Sequence, residues 1–417
     1  MIRVNGPGRL PTAHPPLPAS HPAAHPPLPV LRPRRLFFAG EAIVDVIMRV
    51  PVLPPRGGDI LATSADVAAG GGFNVMAAAA RQGLPVLYAG GHGTGPWGDL
   101  VRAALAAEGI GLLLPPDPVR DTGFDVALVE SDAERTFITS LGAESARGPG
   151  TWDTVRPVPG DAVYVSGYGL VPPESGAALG AWAAALPPGV LLFLDLGPLV
   201  AQIPAPVLDP VLARCDWLSV NAREAALLDG TAQADGTAQP DGTTLPDGTP
   251  LPDGTTLPDG TTLPDGTTLP DGTARPAMDT DPVAAADSQL ARRLLLARGV
   301  RAGVIVRDGP AGCFLAERPL PADGSPGAPD APDAPSGVAA VSAGVAHIPA
   351  PIVEAVDTTG AGDAHSGVFL ASLADGLSPA DAARRANAAA ALAVTRPGPA
   401  TGPTRAELDA WLAEIDV

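Results

Sequence analysis

The sequence predicts an α/β fold in which a central, mostly parallel sheet is flanked by helices. From Asp161 onwards, short apolar runs typical of buried strands alternate with longer segments of helical periodicity. The predicted strands lie at 162–166, 190–195, 217–220 and 303–306. The predicted helices between them lie near 174–186, 206–214 and 222–228. Such alternation requires crossovers that make successive strands parallel and place helices on both faces of the sheet.

Composition sets limits on the class of protein. Of the 417 residues, 46% are hydrophobic, which is enough for a large core. The net charge of −19 argues against binding to nucleic acid or to an anionic membrane surface. No apolar run is long enough for a membrane-spanning helix and no secretory leader is evident. Cys215 and Cys313 lie in apolar contexts, so we expect reduced core cysteines and a cytoplasmic protein.

The chain contains no lysine, because all 26 basic residues are arginine. A Walker A loop needs a lysine after its glycines, so P-loop chemistry is excluded. Enzymes that form a Schiff base with a lysine, including those that use pyridoxal phosphate, are excluded for the same reason.

The N-terminal part of the chain divides into a tail and the start of the fold. Residues 1–34 are rich in proline and histidine and lack periodicity, so we predict a disordered tail before a single domain at 35–417. The apolar stretch 36–50 opens the fold and contains Asp45 between two valines. That charge faces either solvent or a ligand at a strand end, and the stretch alone does not favour one interpretation.

A glycine triplet, residues 70–72, is followed by Phe73 and Asn74. Glycines permit close approach of the backbone to a ligand. An Ala-rich helix begins at Asn74 and ends at Gly83. At the start of that helix, Asn74 would also serve as its N-cap. Short β segments before the triplet, at 46–69, and an alternating hairpin at 124–140 predict a small sheet separate from the main one.

Residues 93–98 match G-x-G-x-x-G, the pattern of dinucleotide-binding turns. In that fold the pattern follows the first strand of its unit, and an acidic residue lies about 20 positions further on. Here the preceding strand is not the first, Pro96 stiffens the turn, and no acidic residue ends the next strand. The pattern therefore favours dinucleotide binding only weakly.

Two low-complexity stretches interrupt the α/β pattern. Within 229–276 the motif D-G-T recurs with a period of six residues. Asp-Gly is typical of turns, and too few apolar positions remain for a β-solenoid core, so we predict a flexible acidic insertion. Residues 319–336, rich in proline and alanine, are predicted to be a second loop expansion.

The most informative stretch is D-T-T-G-A-G-D at residues 357–363. A strand is predicted before it at 352–356 and a buried helix after it at 366–373. A glycine-rich turn that opens a helix leaves N–H groups unpaired and can bind an anion. Asp363 would lie in the first helical turn, either as a cap or as a base beside a bound phosphoryl group. Two further helices are predicted at 378–395, with Asn387 in the middle, and at 404–415.

Three features occur in a characteristic order: the glycine triplet with Asn74, the sequence N-A-R-E at 221–224 after a strand, and D-T-T-G-A-G-D. This set resembles the ribokinase-like (PfkB) family of carbohydrate kinases, and within it the bacterial sugar kinases of unassigned substrate. The resemblance extends from about residue 35 to 415 apart from the two insertions. It implies a ribokinase-like α/β fold in which 46–69 and 124–140 form a small β lid.

The resemblance also implies the roles of individual residues in phosphorylating a sugar hydroxyl. Asp363 would be the general base on the acceptor hydroxyl. The backbone of Gly360, Ala361 and Gly362 would form an anion hole for the transferred phosphoryl group. The residues expected to hold sugar hydroxyls are Asp45, Gly71, Gly72 and Asn74.

ATP and Mg²⁺ are the implied cofactors. The residues expected to hold the nucleotide are Asn221, Glu224, Gly309, Gly312 and Asn387, with Glu224 also ordering Mg²⁺ through water. Asp357 and Thr359 resemble part of a site for a monovalent cation such as K⁺. The residues 166–168 lack the acid found near this position in ribose-specific members, which disfavours ribose.

Two other functions compete with an ATP-dependent sugar kinase. A nucleoside kinase of the same fold is the alternative, and a dinucleotide-dependent oxidoreductase rests only on residues 93–98. The expected partner is a small-molecule sugar or nucleoside, with a homodimer as the assembly to test. Neither nucleic acid nor a membrane is expected as a partner.

Overall fold

The computed structural model describes residues 32–131, 135–231, 282–318 and 344–415, with the backbone alone for 282–286. Within these ranges the strands are β1 (Leu36–Ala39), β2 (Ala42–Arg49), β3 (Ser64–Gly71), β4 (Val86–Tyr88), β5 (Gly111–Leu112), β6 (Phe124–Val129), β7 (Arg135–Ser140), β8 (Ala162–Ser166), β9 (Leu191–Asp195), β10 (Trp217–Asn221), β11 (Gly303–Arg307), β12 (Cys313–Glu317) and β13 (Val345–Ile348). The helices are α1 (Phe73–Arg81), α2 (Pro96–Ala107), α3 (Pro173–Ala184), α4 (Ala205–Arg214), α5 (Ala222–Asp229), α6 (Pro282–Ala297), α7 (Ala361–Ala374), α8 (Pro379–Val394) and α9 (Arg405–Ile415).

A nine-stranded sheet forms the centre of the molecule, with the order β13-β12-β11-β10-β9-β8-β1-β4-β5. Every pair from β11 to β5 is parallel, whereas β12 is antiparallel to both of its neighbours. Strands β1, β8 and β9 are buried at every position, as expected for parallel strands covered on both faces. The predicted central, mostly parallel sheet is confirmed.

Helices cover both faces of this sheet. On one face, α3 to α6 contribute Leu179, Leu208, Ala225 and Leu290 to a single hydrophobic core. On the other face, α1, α2, α7 and α8 contribute Met76, Val101, Phe369 and Ala382 to a second core. The α7 ring of Phe369 lies 5.1 Å from the Trp217 ring and 6.1 Å from the Phe193 ring, measured between centroids. This packing fixes α7 against one face of the central strands.

A second sheet of four strands, in the order β3-β2-β6-β7, stands apart from the first. Strands β2 and β6 pair in parallel, although 75 residues separate Arg49 from Phe124 in the chain numbering. Ile47, Ala127 and Val129 form a small buried cluster on one face of this sheet. The segments predicted to form a small separate sheet thus contribute all four strands.

Several predicted segments lie wholly or mostly outside the described residues: the tail at 1–34, the hexapeptide repeat at 229–276 and the Pro/Ala-rich loop at 319–336. The flanks of the repeat are described. Arg293 of α6 forms an ion pair with Asp229 at the end of α5, at 3.0 Å. The two helices that bracket the repeat therefore lie side by side.

The strand predicted at 352–356 is wrong, because these residues form no strand or helix. The last strand is β13, which ends at Ile348. Pro349 and Pro351 follow it, and proline cannot donate to a β-ladder. Ile352 is 100% exposed, so its apolar side chain marks no core position.

The difference in burial between the exposed Ile352 and the buried Phe369 can be tested by unfolding in denaturant. We expect Phe369→Ala to lower the free energy of unfolding by about 3–5 kcal/mol, because it removes a ring from a fully buried aromatic cluster. Ile352→Ala should change it by less than about 0.5 kcal/mol, as is usual for exposed positions. A large loss for Ile352→Ala would restore the strand prediction.

Candidate functional site

The stretch that carries Asp363 forms a turn at the start of α7. Gly360 precedes the helix with φ of 74°, a conformation that favours glycine. The first helical hydrogen bond runs from the Ala364 N–H to the Gly360 carbonyl, at 2.8 Å. The N–H groups of Gly362 and Asp363 lie before that bond and point out of the helix start, whereas the Ala361 N–H approaches the Thr358 carbonyl at 3.3 Å. The turn is thus suited to bind an anion.

The Asp363 carboxylate is held by Asn74, whose Nδ2 donates to Oδ2 at 3.1 Å. Asn74 therefore does not cap α1, which begins after Gly72 without a side-chain cap. Desolvation raises the pKa of Asp363 to about 6, against the opposing effect of the Asn74 hydrogen bond. A carboxylate with this pKa is available as a base at neutral pH.

The glycine triplet brings β2, β3 and α1 close together. A Cβ at Gly70 would overlap the Asp45 carboxylate, and a Cβ at Gly72 would overlap the Phe38 ring. Gly71 has φ of 57°, and the Gly72 N–H donates to the Glu41 carbonyl at 2.8 Å. Contacts within the protein thus already require glycine at Gly70 and Gly72.

Asp45 faces into the molecule, which decides between the two interpretations of this charge. It is 4% exposed, and its Oδ1 has no hydrogen-bond partner in the described part of the chain. Burial raises the pKa of Asp45 to about 8, with smaller contributions from the charges of Asp125 and Asp363. Asp45 therefore belongs to the same polar cluster as Asp363.

Sequence reasoning missed two acidic members of this cluster. Glu41 follows β1, and its Oε1 accepts a hydrogen bond from Ser166 Oγ at 2.9 Å. Burial raises the pKa of Glu41 to about 8. Asp125 lies directly opposite Asp45 in the β2–β6 pairing. The charge between apolar residues in β6 was a signal of the same kind as Asp45.

Sequence reasoning also missed Arg307, at the carboxyl end of β11. Its guanidinium donates two hydrogen bonds to Asp195, at 2.8 and 3.1 Å. It also donates to the Gly362 carbonyl at 3.2 Å and to Ser366 Oγ at 3.3 Å. Burial alone would lower the pKa of Arg307, but the carboxylates of Asp195 and Glu224 outweigh this effect and raise the pKa. A permanent positive charge thus lies beside the α7 turn.

The sequence N-A-R-E at 221–224 forms a reciprocal capping box at the start of α5. Asn221 Oδ1 accepts from the Glu224 N–H, and Glu224 Oε2 accepts from the Asn221 N–H, both at 2.8 Å. Glu224 also lies 3.7 Å from Arg307. Burial is the main cause that raises the pKa of Glu224. Both residues stand at the carboxyl end of β10, next to the Asp195 and Arg307 pair.

The remaining predicted nucleotide residues lie around the end of β13 rather than beside Asp363. Asn387 donates to the carbonyls of Ile348 and Pro349, at 2.7 and 3.3 Å. A Cβ at Gly312 would overlap the Ile348 carbonyl, so glycine is required there. Gly309 has φ of 49° and open space where a Cβ would lie.

The stretch predicted to hold a monovalent cation faces two arginines of the second sheet. Asp357 lies 3.5 Å from both Arg49 and Arg135, and Arg135 also donates to the hydroxyls of Thr358 and Thr359. Burial alone would raise the pKa of Asp357, but hydrogen bonds from Thr359 outweigh this effect and lower the pKa. Two guanidinium groups thus face this carboxylate, and a monovalent-cation site at Asp357 and Thr359 stays a prediction.

The G-x-G-x-x-G stretch does not offer its N–H groups to a ligand. The Asp121 carboxylate accepts hydrogen bonds from the N–H groups of Gly95, Trp97 and Gly98, at 3.1, 3.0 and 2.8 Å. A side chain of the protein thus fills the position that a dinucleotide phosphate would occupy. This arrangement argues against the oxidoreductase.

In the part of the chain that the structure describes, no helix is long and apolar enough to cross a membrane. No group of three or more His, Cys, Asp or Glu side chains in those ranges forms a metal site. Cys215 and Cys313 are both buried and free.

The chain is similar to known proteins in both sequence and structure. The family described as "pfkB family carbohydrate kinase" matches residues 34–242 and 284–406. A protein of Escherichia coli strain K12, described as "uncharacterized sugar kinase YegV", is 29% identical over 370 residues, which cover 88% of this chain and 91% of that protein.

Two solved structures illustrate the likeness in fold. Ribokinase from Cryptococcus neoformans in complex with ADP has a TM-score of 0.64 at 21% identity, over 91% of this chain and 99% of that chain. Ribokinase from Arabidopsis thaliana, complexed with ribose and ATP, has a TM-score of 0.58 at 21% identity and the same coverage. The ribokinase-like fold is confirmed.

The contacts of Arg307 predict a large effect on stability. Arg307→Met should lower the free energy of unfolding by about 3–5 kcal/mol, because it leaves Asp195 and Glu224 buried without their cation. The control is Arg384→Met, which removes an exposed pair with Asp381 and should cost less than about 1 kcal/mol. Denaturant unfolding of both variants measures the difference, and equal small losses would contradict the buried network.

Proposed function

The chain belongs to the pfkB family of carbohydrate kinases, and we propose that it transfers the γ-phosphoryl group of ATP to a hydroxyl of a small sugar or sugar derivative, with Asp363 as the general base. One observation carries this proposal: the desolvated Asp363 carboxylate is held by Asn74 in the first turn of α7, next to outward-pointing N–H groups. The relatives support it, since one is described as a sugar kinase and one structure holds ribose and ATP.

Asp363 accepts the proton of the acceptor hydroxyl as that oxygen bonds to the γ-phosphorus. The bond between the γ-phosphorus and the bridging oxygen breaks, and ADP leaves with that electron pair. A hydroxyl is a weak nucleophile until its proton has an acceptor, and the pKa of Asp363, about 6, suits this task near neutral pH. Asn74 keeps one carboxylate oxygen in place, which leaves the other to face the substrate.

The turn formed by Gly360, Ala361 and Gly362 stabilises the charge on the transferred phosphoryl group. Its outward N–H groups and the positive end of the α7 dipole act on that charge without rearrangement during the reaction. The Ala361 N–H shares its hydrogen with the Thr358 carbonyl, so the flanking N–H groups carry more of this role.

The nucleotide lies along the carboxyl ends of β10, β11 and β13 in this proposal. Gly309, Gly312 and Asn387 border the base and ribose. Asn221 and Glu224 border the phosphates and would hold hydrated Mg²⁺, since carboxylate and amide oxygens suit this ion and it retains several waters. Bound Mg²⁺ neutralises charge on the phosphates.

The second sheet acts as the lid over the acceptor. Asp45 and Asn74, with the backbone at Gly71 and Gly72, border the acceptor hydroxyls. The burial of Asp45 and its unpaired Oδ1 support this assignment, because an unsatisfied buried acceptor calls for a donor.

The role of Asp363 can be tested with Asp363→Asn. We expect kcat to fall by about 10²–10⁴-fold, because asparagine keeps the shape but cannot accept the proton. ATP binding and the melting temperature should stay close to those of the wild type. Steady-state ADP release over a panel of sugars and nucleosides measures the effect. The control is Asp375→Asn at the other end of α7, and turnover of Asp363→Asn close to that of this control would refute the base.

The pKa of Asp363 predicts the pH dependence. A base must be deprotonated, so a raised pKa places the loss of activity at higher pH than for an ordinary aspartate. At saturating ATP and Mg²⁺, kcat/KM for the acceptor should fall about tenfold per pH unit below about pH 6 and level off above it. The pH profile of the residual activity of Asp363→Asn should lack this fall below about pH 6. If the variant kept the same fall, the titration would belong to another group.

A further inference from the structure

Two neighbouring strands of the second sheet place two aspartates side by side. Asp45 of β2 lies opposite Asp125 of β6 in a parallel pairing, so both side chains project from the same face. They are 4% and 8% exposed. Each has an Oδ1 atom without a hydrogen-bond partner in the described ranges. Two buried acceptors thus lie next to each other with nothing in those ranges donating to them.

Two more unpaired acceptors belong to the same cluster. Asn74 uses its amide nitrogen to hold Asp363, while its Oδ1 is buried without a donor in the described part of the chain. Glu41 uses Oε1 to accept from Ser166, and its Oε2 is likewise buried and unpaired within those limits. Buried polar atoms in native proteins are nearly always hydrogen-bonded, so four such acceptors indicate a ligand rich in donors.

The charge of the cluster limits that ligand further. The charge of Asp363 raises the pKa of both Glu41 and Asp45, and the charge of Asp125 adds to the effect on Asp45. Burial raises the pKa of Asp125 to about 6, so this group still carries charge at neutral pH. At neutral pH Asp125 and Asp363, whose pKa values are about 6, are charged, whereas Glu41 and Asp45, whose pKa values are about 8, are mostly protonated. An anionic ligand would therefore meet two negative charges, and like charges brought together in a partly buried site repel strongly.

The nearby arginines are already engaged by other carboxylates. Arg49 shares a face of β2 with Asp45, but it and Arg135 face Asp357. Arg307 is bound to Asp195 through both of its terminal nitrogens. These three guanidinium groups therefore do not offset the charge of the acceptor side.

We infer that the acceptor is an uncharged, polyhydroxylated sugar whose neighbouring hydroxyls donate to Asp45 and Asp125, and that sugar phosphates and sugar acids are rejected. This inference rests on the proposed kinase function and deepens it. Asp125 is the specificity-determining residue, because it adds a charged acceptor beside the Oδ1 of Asp45. Two neighbouring carboxyl oxygens without donors match adjacent hydroxyls, each of which offers one O–H.

The test uses the full-length enzyme with MgATP and compares uncharged with anionic acceptors. The uncharged probes are D-ribose, D-fructose and D-glucose; the anionic probes are D-fructose 6-phosphate and D-gluconate. We expect kcat/KM for the best uncharged acceptor to exceed that of either anion by about 100-fold or more, since like-charge contacts cost several powers of ten in affinity at buried sites. An anion used within about tenfold of the best sugar would overturn the inference.

The variant that isolates the residue is Asp125→Asn. We expect KM for the best uncharged sugar to rise about tenfold, because a charged acceptor is lost, while kcat changes by less than about threefold. The ratio of kcat/KM for that sugar to kcat/KM for the anions should fall. The control is Asp66→Asn on β3 of the same sheet, an exposed position with the same change in charge. Equal kinetics in the two variants would overturn the role of Asp125.

Direct binding separates failure of this inference from failure of the proposed function. Calorimetric titration of the same probes, with a non-hydrolysable ATP analogue present, needs no turnover. No ADP release with any acceptor would count against the kinase function alone. In that case, binding of an uncharged sugar that Asp125→Asn weakens would still support the inference. Binding of an anion, or of none of the probes, would overturn it.

Discussion

A buried guanidinium between carboxylates fixes the geometry on which the site depends. Arg307, at the end of β11, binds Asp195 at the end of β9 and reaches the Gly362 carbonyl in the first turn of α7. Ser366 closes the network by donating to Asp195 Oδ2 at 3.0 Å. Neither partner is stable alone in such a position, because an unpaired buried charge is costly. The network therefore ties the orientation of α7, and of Asp363 upon it, to the central sheet.

This arrangement gives the two halves of the site opposite electrostatic character. On one side lie the outward N–H groups of the α7 turn, which favour an anionic nucleotide. On the other side lie Glu41, Asp45 and Asp125, which favour hydrogen-bond donors. Asp363 stands between them, with its pKa raised by desolvation. Under the proposed function, this division would orient the two substrates before any covalent step, which is the main requirement of phosphoryl transfer.

The sequence was sufficient to predict features that depend only on residues close together in the chain. Alternating apolar runs predicted the parallel sheet, and the turn at 357–363 predicted a helix start with Asp363 in its first turn. Asp125 and Arg307 were missed as site residues because their roles depend on contacts with residues distant in the chain. Asp125 matters through its register with Asp45, and Arg307 through contacts with Asp195 and Gly362. The strand predicted at 352–356 failed because apolar residues outweighed the two prolines beside them.

The glycine-rich turns that open α2 and α7 differ in what their backbone N–H groups bind. At the start of α2, the carboxylate of Asp121 accepts three backbone N–H groups. Those donors are therefore used within the protein, and the turn is structural. At the start of α7, the carboxylate in the turn is Asp363, and Asn74 holds it. The outward N–H groups of that turn are left for a ligand. A glycine-rich turn becomes an anion site only where the rest of the chain leaves its donors free.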